Sequence, residues 1–229
     1  MNRKISVVMP TFNEELAVEQ VIDDIHKNLE GFDVEVVIVD SSKDKTPELA
    51  EAKGARVISQ APQGHGVALR AAIANASHDT VITADCDNTY PMEFLTPLAN
   101  MLDDEGLDLI SCNRLTKELG KEMPAANRLA NWGFAFMVRL FYGINVHDVS
   151  TGMFCIRKSA FDEIEWETNY AFPCELIVRS AKAGQKTKEI DIPYRIRVGE
   201  VTLHRWRSGR AYVSCILKYK FGFNITQVT

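Results

Sequence analysis

The chain has no run of about 20 apolar residues, the length an α-helix needs to cross a bilayer, so no membrane span is expected. It has no C-x-x-C pair. Its 5 cysteines, at positions 86, 112, 155, 174 and 215, are odd in number and scattered. That excludes a zinc site and a disulfide framework, and reads as buried or free thiols in a reducing compartment. The apolar run Ile5 to Pro10 is too short for a signal peptide. A cytoplasmic location follows as the expectation. Basic charge is not in excess either. The net charge is -5 with a pI near 5.6, so no global field points to nucleic acid. No internal repeat or low-complexity linker interrupts the chain. What is present is ordinary globular composition: 229 residues, 46% hydrophobic and 25% charged, sufficient for one large domain or one with an appendage.

Five short apolar runs read as strands: Ile5 to Pro10, Val34 to Asp40, Ala55 to Ser59, Thr80 to Ala84 and Asp108 to Cys112. Helical patterns separate them. One opens at Asn13-Glu14-Glu15 and runs to about Leu29; others cover the segment after Thr46-Pro47, about Val67 to Ala76, and Met92 to Leu102. Strands alternating with helices imply an open parallel α/β sheet with ligands beyond the strands' carboxyl ends. The polar features fall there: Asn13-Glu14, Asp40 to Asp44, Gly64-His65-Gly66, Asp85-Cys86-Asp87 and Asn113-Arg114. After Arg114 the pattern changes. Asn127 to about Gly143 is an aromatic-rich helix, read either as core or as an interface near a lipid or a partner. A turn and strand follow over Asp148 to Arg157, then a helix from about Cys174 to Ala183, and a last strand over Ile190 to Arg195. The tail is basic, with Arg195, Arg197, His204, Arg205, Arg207, Arg210, Lys218 and Lys220. Its segment Ala211 to Phe223 reads equally as a surface-lying amphipathic stretch or as a packed terminal helix.

Asp85 and Asp87 are the most informative residues. They end a short apolar run and stand one residue apart, before Pro91 stops regular structure. In an extended strand residues i and i+2 face one side. If the extension lasts through Asp87, both carboxylates point into one space, which suits a hard divalent cation shared with phosphate oxygens.

Together these residues resemble the inverting, metal-dependent glycosyltransferases of family 2, with the GT-A fold, over nearly the whole chain. Val8-Met9-Pro10-Thr11-Phe12-Asn13-Glu14 is similar to the family's V-x-P-x-Y/F-N-E, Ala84-Asp85-Cys86-Asp87 to its D-A-D motif, and Ser150-Thr151-Gly152-Met153-Phe154 to its S-G-F segment. Arg197-Val198-Gly199-Glu200 resembles the R-x-G-E of the polyprenyl-phosphate sugar transferases, the dolichyl-phosphate mannosyltransferase branch. The resemblance implies a Rossmann-like, mostly parallel sheet with helices on both faces and a C-terminal acceptor-side extension. It implies one domain over 1–229, with a nucleotide-sugar half (1–115) and an acceptor half (116–229). Pro10, Phe12, Glu14 and Asp40 would line the nucleotide of a GDP- or UDP-linked sugar. Asp85 and Asp87 would hold Mg²⁺ or Mn²⁺ against its diphosphate. Arg114, Arg128 and Arg197 would meet the phosphate of a polyprenyl acceptor at a membrane surface, reached peripherally from the cytoplasmic side or through an anchoring partner subunit. Departures are visible. The loop at Asp40-Ser41-Ser42-Lys43-Asp44 has one acidic residue fewer than the family's, Thr89 stands where the mannosyl enzymes carry Gln, His65 where many relatives carry Lys, and Val201-Thr202-Leu203 where the branch reads S-K-L.

Such a reaction displaces a nucleoside diphosphate at an anomeric carbon. A divalent ion at Asp85 and Asp87 would stabilise the leaving charge. A hydroxyl acceptor needs a positioned base, for which Glu175 is the leading residue; its other reading is a first-turn carboxylate facing the helix dipole. A phosphate acceptor is already anionic and needs arginines instead. Three arginines at branch positions around the reaction centre favour the phosphate, since clustered buried cations need an anionic partner and a hydroxyl would leave them idle. Two rivals are weighed. Asp85-Cys86-Asp87-Asn88-Thr89 also fits the D-x-D-x-T of haloacid-dehalogenase-type phosphatases, but it follows four strands, not one, and no downstream G-D-x-x-x-D pair exists. A non-catalytic nucleotide-sugar-binding subunit is disfavoured by the intact Asp85 and Asp87.

Overall fold

The computed structural model describes residues 3–116, 125–199 and 205–222, with the side chains of 205–208 left out. Glu200, Val201-Thr202-Leu203, His204 and Phe223, and the side chains of Arg205, Trp206 and Arg207, lie outside the described residues. The elements in chain order are β1 (Lys4–Thr11), α1 (Val18–Asn28), β2 (Asp33–Asp40), α2 (Thr46–Ala52), β3 (Arg56–Ser59), α3 (His65–Ala74), β4 (Thr80–Thr83), α4 (Leu95–Asp104), β5 (Leu109–Asn113), α5 (Ala125–Tyr142), β6 (Phe154–Arg157), α6 (Phe172–Lys182), β7 (Thr187–Asp191) and α7 (Arg205–Phe221).

The strands form one sheet in the order β3-β2-β1-β4-β6-β5-β7. All neighbours are parallel except β6, which is antiparallel to both β4 and β5. The sheet is therefore mostly parallel, as expected, with one antiparallel strand inserted from the chain's second half. The β-branched runs of β1 and β2 are buried on both sides, as a covered sheet requires. Along β1, Ile5, Val7 and Met9 pack toward α1 and α4 through Val18, Ile22, Leu95 and Leu98. Val8 alternates to the opposite layer, built on α3, α5, α6 and α7.

Three element readings change. Helix α1 starts at Val18, not at Asn13. Asn13 takes a left-handed φ of 59°, which Asn tolerates, and Glu14 to Ala17 form a turn first. Helix α3 starts at His65, so His65 sits in its first turn. The last strand is β7 at Thr187–Asp191, not Ile190 to Arg195. It pairs with β5 from Leu109↔Thr187 to Asn113↔Asp191 and ends where β5 ends. Ile192 N–H still reaches the Asn113 carbonyl at 2.9 Å, but Pro193 has no N–H to continue the ladder. Residues 192–199 instead cross the carboxyl edge of the sheet, where Arg195 N–H donates to Thr89 O and Val198 N–H to Asp87 O, each at 3.0 Å.

The tail resolves in favour of packing. Tyr212, Cys215 and Ile216 of α7 are buried. Phe134 of α5 stacks on Tyr212 at 5.3 Å, and Tyr142 Oη donates to the Ile216 carbonyl at 2.7 Å.

Candidate active site

The loops after β1 and β2 are zipped together. Thr11 Oγ1 and Ser42 Oγ both donate to Asp40 Oδ1 at 2.6 Å. Ser42 Oγ in turn accepts Asn13 N–H at 2.8 Å, and Thr46 Oγ1 accepts Glu14 N–H at 2.8 Å. Asp40 is buried and its carboxylate is taken up in this way. Pro10 is buried at the end of β1, Phe12 is exposed beside it, and Glu14 is buried.

Asp85 and Asp87 lie just past β4. The strand stops at Thr83, where its pairing with β1 ends, and Ala84 N–H makes a last bond to Val8 O at 3.2 Å. The two carboxylates therefore come together through a loop, with Asn88 at φ 66°, and not through strand alternation. Asp85 Oδ1 meets His65 Nε2 at 2.8 Å. Gly152 lies against it: a Cβ there would stand 3.0 Å from Asp85 Oδ2 and 3.1 Å from Tyr90 Oη. Asp87 Oδ1 accepts from Thr89 N–H at 3.0 Å and Thr89 Oγ1 at 2.5 Å, while Oδ2 pairs with Arg197 at 2.9 Å. The other arm of Arg197 reaches Glu14 Oε1 at 2.7 Å.

These contacts set the charges. Burial pushes the Asp85 carboxyl up, but the charges of His65, Arg114 and Arg197 outweigh it and hold it below the ordinary value. Burial and the Asp85 charge push Asp87 up. Burial also lifts Glu14, against Arg197, to about 7. Burial opposes charge on His65, yet Asp85 outweighs it and raises the imidazole. The Glu14 Oε2 and Arg197 Nε atoms are buried without a hydrogen-bond partner. Hard carboxylate oxygens, excess negative charge and an orphaned oxygen fit a divalent cation.

The arginines are placed differently from the expectation. Arg114 is buried and held by Asp148, with Nε to Oδ2 at 2.7 Å and Nη2 to Oδ1 at 3.2 Å. Asn131 Nδ2 also donates to Asp148 Oδ1 at 2.8 Å, and the Arg114 guanidinium lies over the Tyr194 and Tyr90 rings at 5.2 and 5.8 Å. Arg114 is thus a strut with its own anion. Arg197 is likewise occupied, on Glu14 and Asp87. The expectation that these clustered cations need the acceptor's anion is corrected for Arg114 and Arg197, because protein carboxylates already neutralise them. Arg128 is exposed on α5.

Glu175 is also corrected as a base. It is fully buried in the first turn of α6. Its oxygens accept Glu167 N–H at 2.9 Å, Thr168 N–H at 2.9 Å, Thr168 Oγ1 at 2.8 Å and Tyr219 Oη at 2.5 Å, and Arg179 approaches to 3.5 Å. With its lone pairs taken, it anchors the 167–168 loop and α7 to α6 and has none left for a substrate hydroxyl. Sequence reasoning missed Asp148, Asn131, Tyr90 and Tyr194. The one local signal was Asp148 two residues before Ser150, whose N–H it caps at 3.0 Å.

Comparison with known proteins places this geometry. Residues 6–165 match the model of "Glycosyl transferase family 2". The chain is 43% identical over 214 residues to a "Dolichyl-phosphate hexose transferase" of Haloferax volcanii, covering 93% of this chain and 92% of that protein. It is 33% identical to the "Low-salt glycan biosynthesis hexosyltransferase Agl6" of the same organism, over 93% of this chain and 53% of that protein. Among solved structures, glucosyl-3-phosphoglycerate synthase from Mycobacterium tuberculosis, in complex with Mn²⁺, uridine diphosphate and phosphoglyceric acid, superposes with a TM-score of 0.76. It has 22% identity, over 99% of this chain and 80% of that one. That likeness bears on the fold, which is GT-A as expected. The chain belongs to glycosyl transferase family 2.

Proposed function

We propose that this protein transfers a hexose from a nucleotide sugar to a polyprenyl phosphate, with inversion at the anomeric carbon and with a divalent metal. One observation carries the reading: the Asp85/Asp87 pair, wired to His65, Arg197 and Glu14, stands at the carboxyl edge of the sheet in a chain 43% identical along nearly its full length to a dolichyl-phosphate hexose transferase. The donor's nucleoside binds between the Pro10-Thr11-Phe12-Asn13-Glu14 segment and the Asp40 loop. The uridine diphosphate of the solved neighbour supports a uridine donor, with guanosine the alternative.

Asp85 and Asp87 would hold Mg²⁺ or Mn²⁺, which supplies charge stabilisation to the leaving diphosphate. His65 keeps Asp85 ionised and oriented. Thr89 fixes the Asp87 carboxylate. Arg197, which bridges Asp87 and Glu14, would offer its guanidinium to a phosphate oxygen of the substrate. Arg128, exposed at the first turns of α5, receives the acceptor phosphate. Arg114 acts indirectly: its pairing with Asp148 holds Ser150 to Gly152 against Asp85. No carboxylate base is required, because a phosphate monoester oxygen is anionic at neutral pH, which agrees with the saturation of Glu175. The single domain divides, in this reading, into a donor half before residue 116 and an acceptor half after it.

The test is a matrix of UDP- and GDP-sugars against polyprenyl phosphates and free sugars with Mn²⁺ or Mg²⁺, reading released nucleoside diphosphate. Product with a polyprenyl phosphate, lost in chelator, is expected. Turnover only with hydroxyl acceptors would replace the acceptor, and full activity in chelator would remove the metal.

A further inference from the structure

Four of the large apolar side chains exposed among the described residues come from α5: Leu129 (70%), Trp132 (60%), Phe136 (48%) and Leu140 (64%). At 3.6 residues per turn they fall within about 80° of arc. The buried positions Asn131, Ala135 and Val138 occupy the other side of the helix. Trp132 and Phe136 stack on one another, with ring centroids 5.8 Å apart. A contiguous stripe of this size on a surface marks an interaction site more than chance exposure does.

Charge identifies what the stripe fits. Arg128 and Arg139 lie along one edge of it, Arg128 exposed and Arg139 half-buried with Nη1 donating to the Val146 carbonyl at 2.8 Å. Neither α5 nor the adjacent α7 contains an Asp or Glu, in a chain that carries 31 of them. A contact between two copies across a two-fold axis would set these cations against their own counterparts. An anionic lipid surface would neutralise them and accept the stripe. No described helix is long and apolar enough to cross a membrane, and a helix with this one-sided pattern lies in the interface plane with its apolar face about 5–10 Å deep.

The inward face of α5 belongs to the site. Asn131 donates to Asp148 Oδ1 at 2.8 Å and to Ser150 Oγ at 2.6 Å, the two residues that hold Arg114. One helix thickness, about 10 Å, thus separates the stripe from the residues around Asp85. We infer that α5 docks this protein on an anionic bilayer, with Leu129, Trp132, Phe136 and Leu140 in the headgroup–acyl boundary and Arg128, the residue assigned above to the acceptor phosphate, at headgroup level. The inference rests on the lipid-phosphate acceptor proposed above and adds the surface through which that acceptor is met.

The test is co-sedimentation of the full chain with vesicles of phosphatidylcholine mixed with phosphatidylglycerol, against phosphatidylcholine alone. Quenching of tryptophan emission by brominated lipid is read in parallel. The chain should bind the mixed vesicles and be quenched. The W132S/F136S variant should lose roughly tenfold or more in binding, yet keep its melting temperature and its turnover of a short-chain, water-soluble prenyl phosphate. No binding by the unaltered chain, equal binding by the variant, or a dimer that the variant converts to monomer would each overturn the docking surface. Turnover of the soluble acceptor without vesicle binding would sink this inference alone. Vesicle binding through the stripe without transfer to any prenyl phosphate would support the surface and sink the acceptor reading.

Discussion

Asp87 is held from two directions, by Thr89 on one oxygen and Arg197 on the other. Removing its charge without its shape is therefore the informative change. Asp87→Asn keeps an acceptor for Thr89 and should lower transfer at least about a hundredfold while shifting the melting temperature little; a folded variant with normal turnover would contradict the assigned role. Asp148 gives the opposite kind of result. Asp148→Ala leaves the buried Arg114 charge without its anion and should cost about 3–5 kcal/mol of stability, read as a lowered denaturant midpoint before any kinetic effect is interpreted. Glu175→Gln should weaken the fold by about 1–3 kcal/mol and leave turnover per folded molecule unchanged; loss of turnover at full stability would restore it as a base. The residue types of this site were legible in the sequence, because Asp85-Cys86-Asp87 and Asn13-Glu14 stand at the ends of apolar runs. Their partners were not. Nothing local to Arg197 says that it will pair with Asp87 and Glu14, or to Arg114 that Asp148 will neutralise it. Arg114 and Arg197 therefore need no substrate anion to be tolerated where they stand.

At the scale of elements, β1 and β2 read correctly because a two-sided buried strand is a continuous β-branched run. The antiparallel insertion of β6 between β4 and β5 carries no local signature, since pairing direction is a property of the connection. The position of β7 was misjudged because Ile190 to Tyr194 is more apolar than Thr187 to Glu189, while the ladder is decided by where β5 lies. Element contacts also carry a pH prediction. Glu35 on β2 accepts from Ser6 Oγ at 2.5 Å, Ser77 Oγ at 3.0 Å and Arg56 at 3.2 Å, and also from Ser77 N–H. Burial pushes its carboxyl up, but these bonds outweigh it and lower the pKa to about 2. A depressed folded-state pKa means stability present above the unfolded value and lost as pH falls toward 2. Glu35→Gln should lower stability at pH 7 by about 2–3 kcal/mol and flatten the acid side of the stability–pH curve; an unchanged acid limb would contradict this.

At the scale of the molecule, two layers of helices on a mixed sheet bring loops from both halves of the chain to one edge. The first half supplies Glu14, His65, Asp85 and Asp87. The second supplies Gly152, the Asp148 latch and Arg197. The chain's family was legible because its motifs and their order survive in the sequence; the exposed stripe on α5 was not, because an aromatic-rich helix reads the same whether its second face meets protein or lipid. The central claim, sugar transfer to a lipid-linked phosphate, is tested most directly by supplying one nucleotide sugar with Mn²⁺ and comparing a short prenyl phosphate with the matching prenyl alcohol. Nucleoside diphosphate released with the phosphate and not with the alcohol, together with a sugar–phosphate–prenyl product, is the predicted result. Equal release with the alcohol, or a product linked through a hydroxyl, would contradict it.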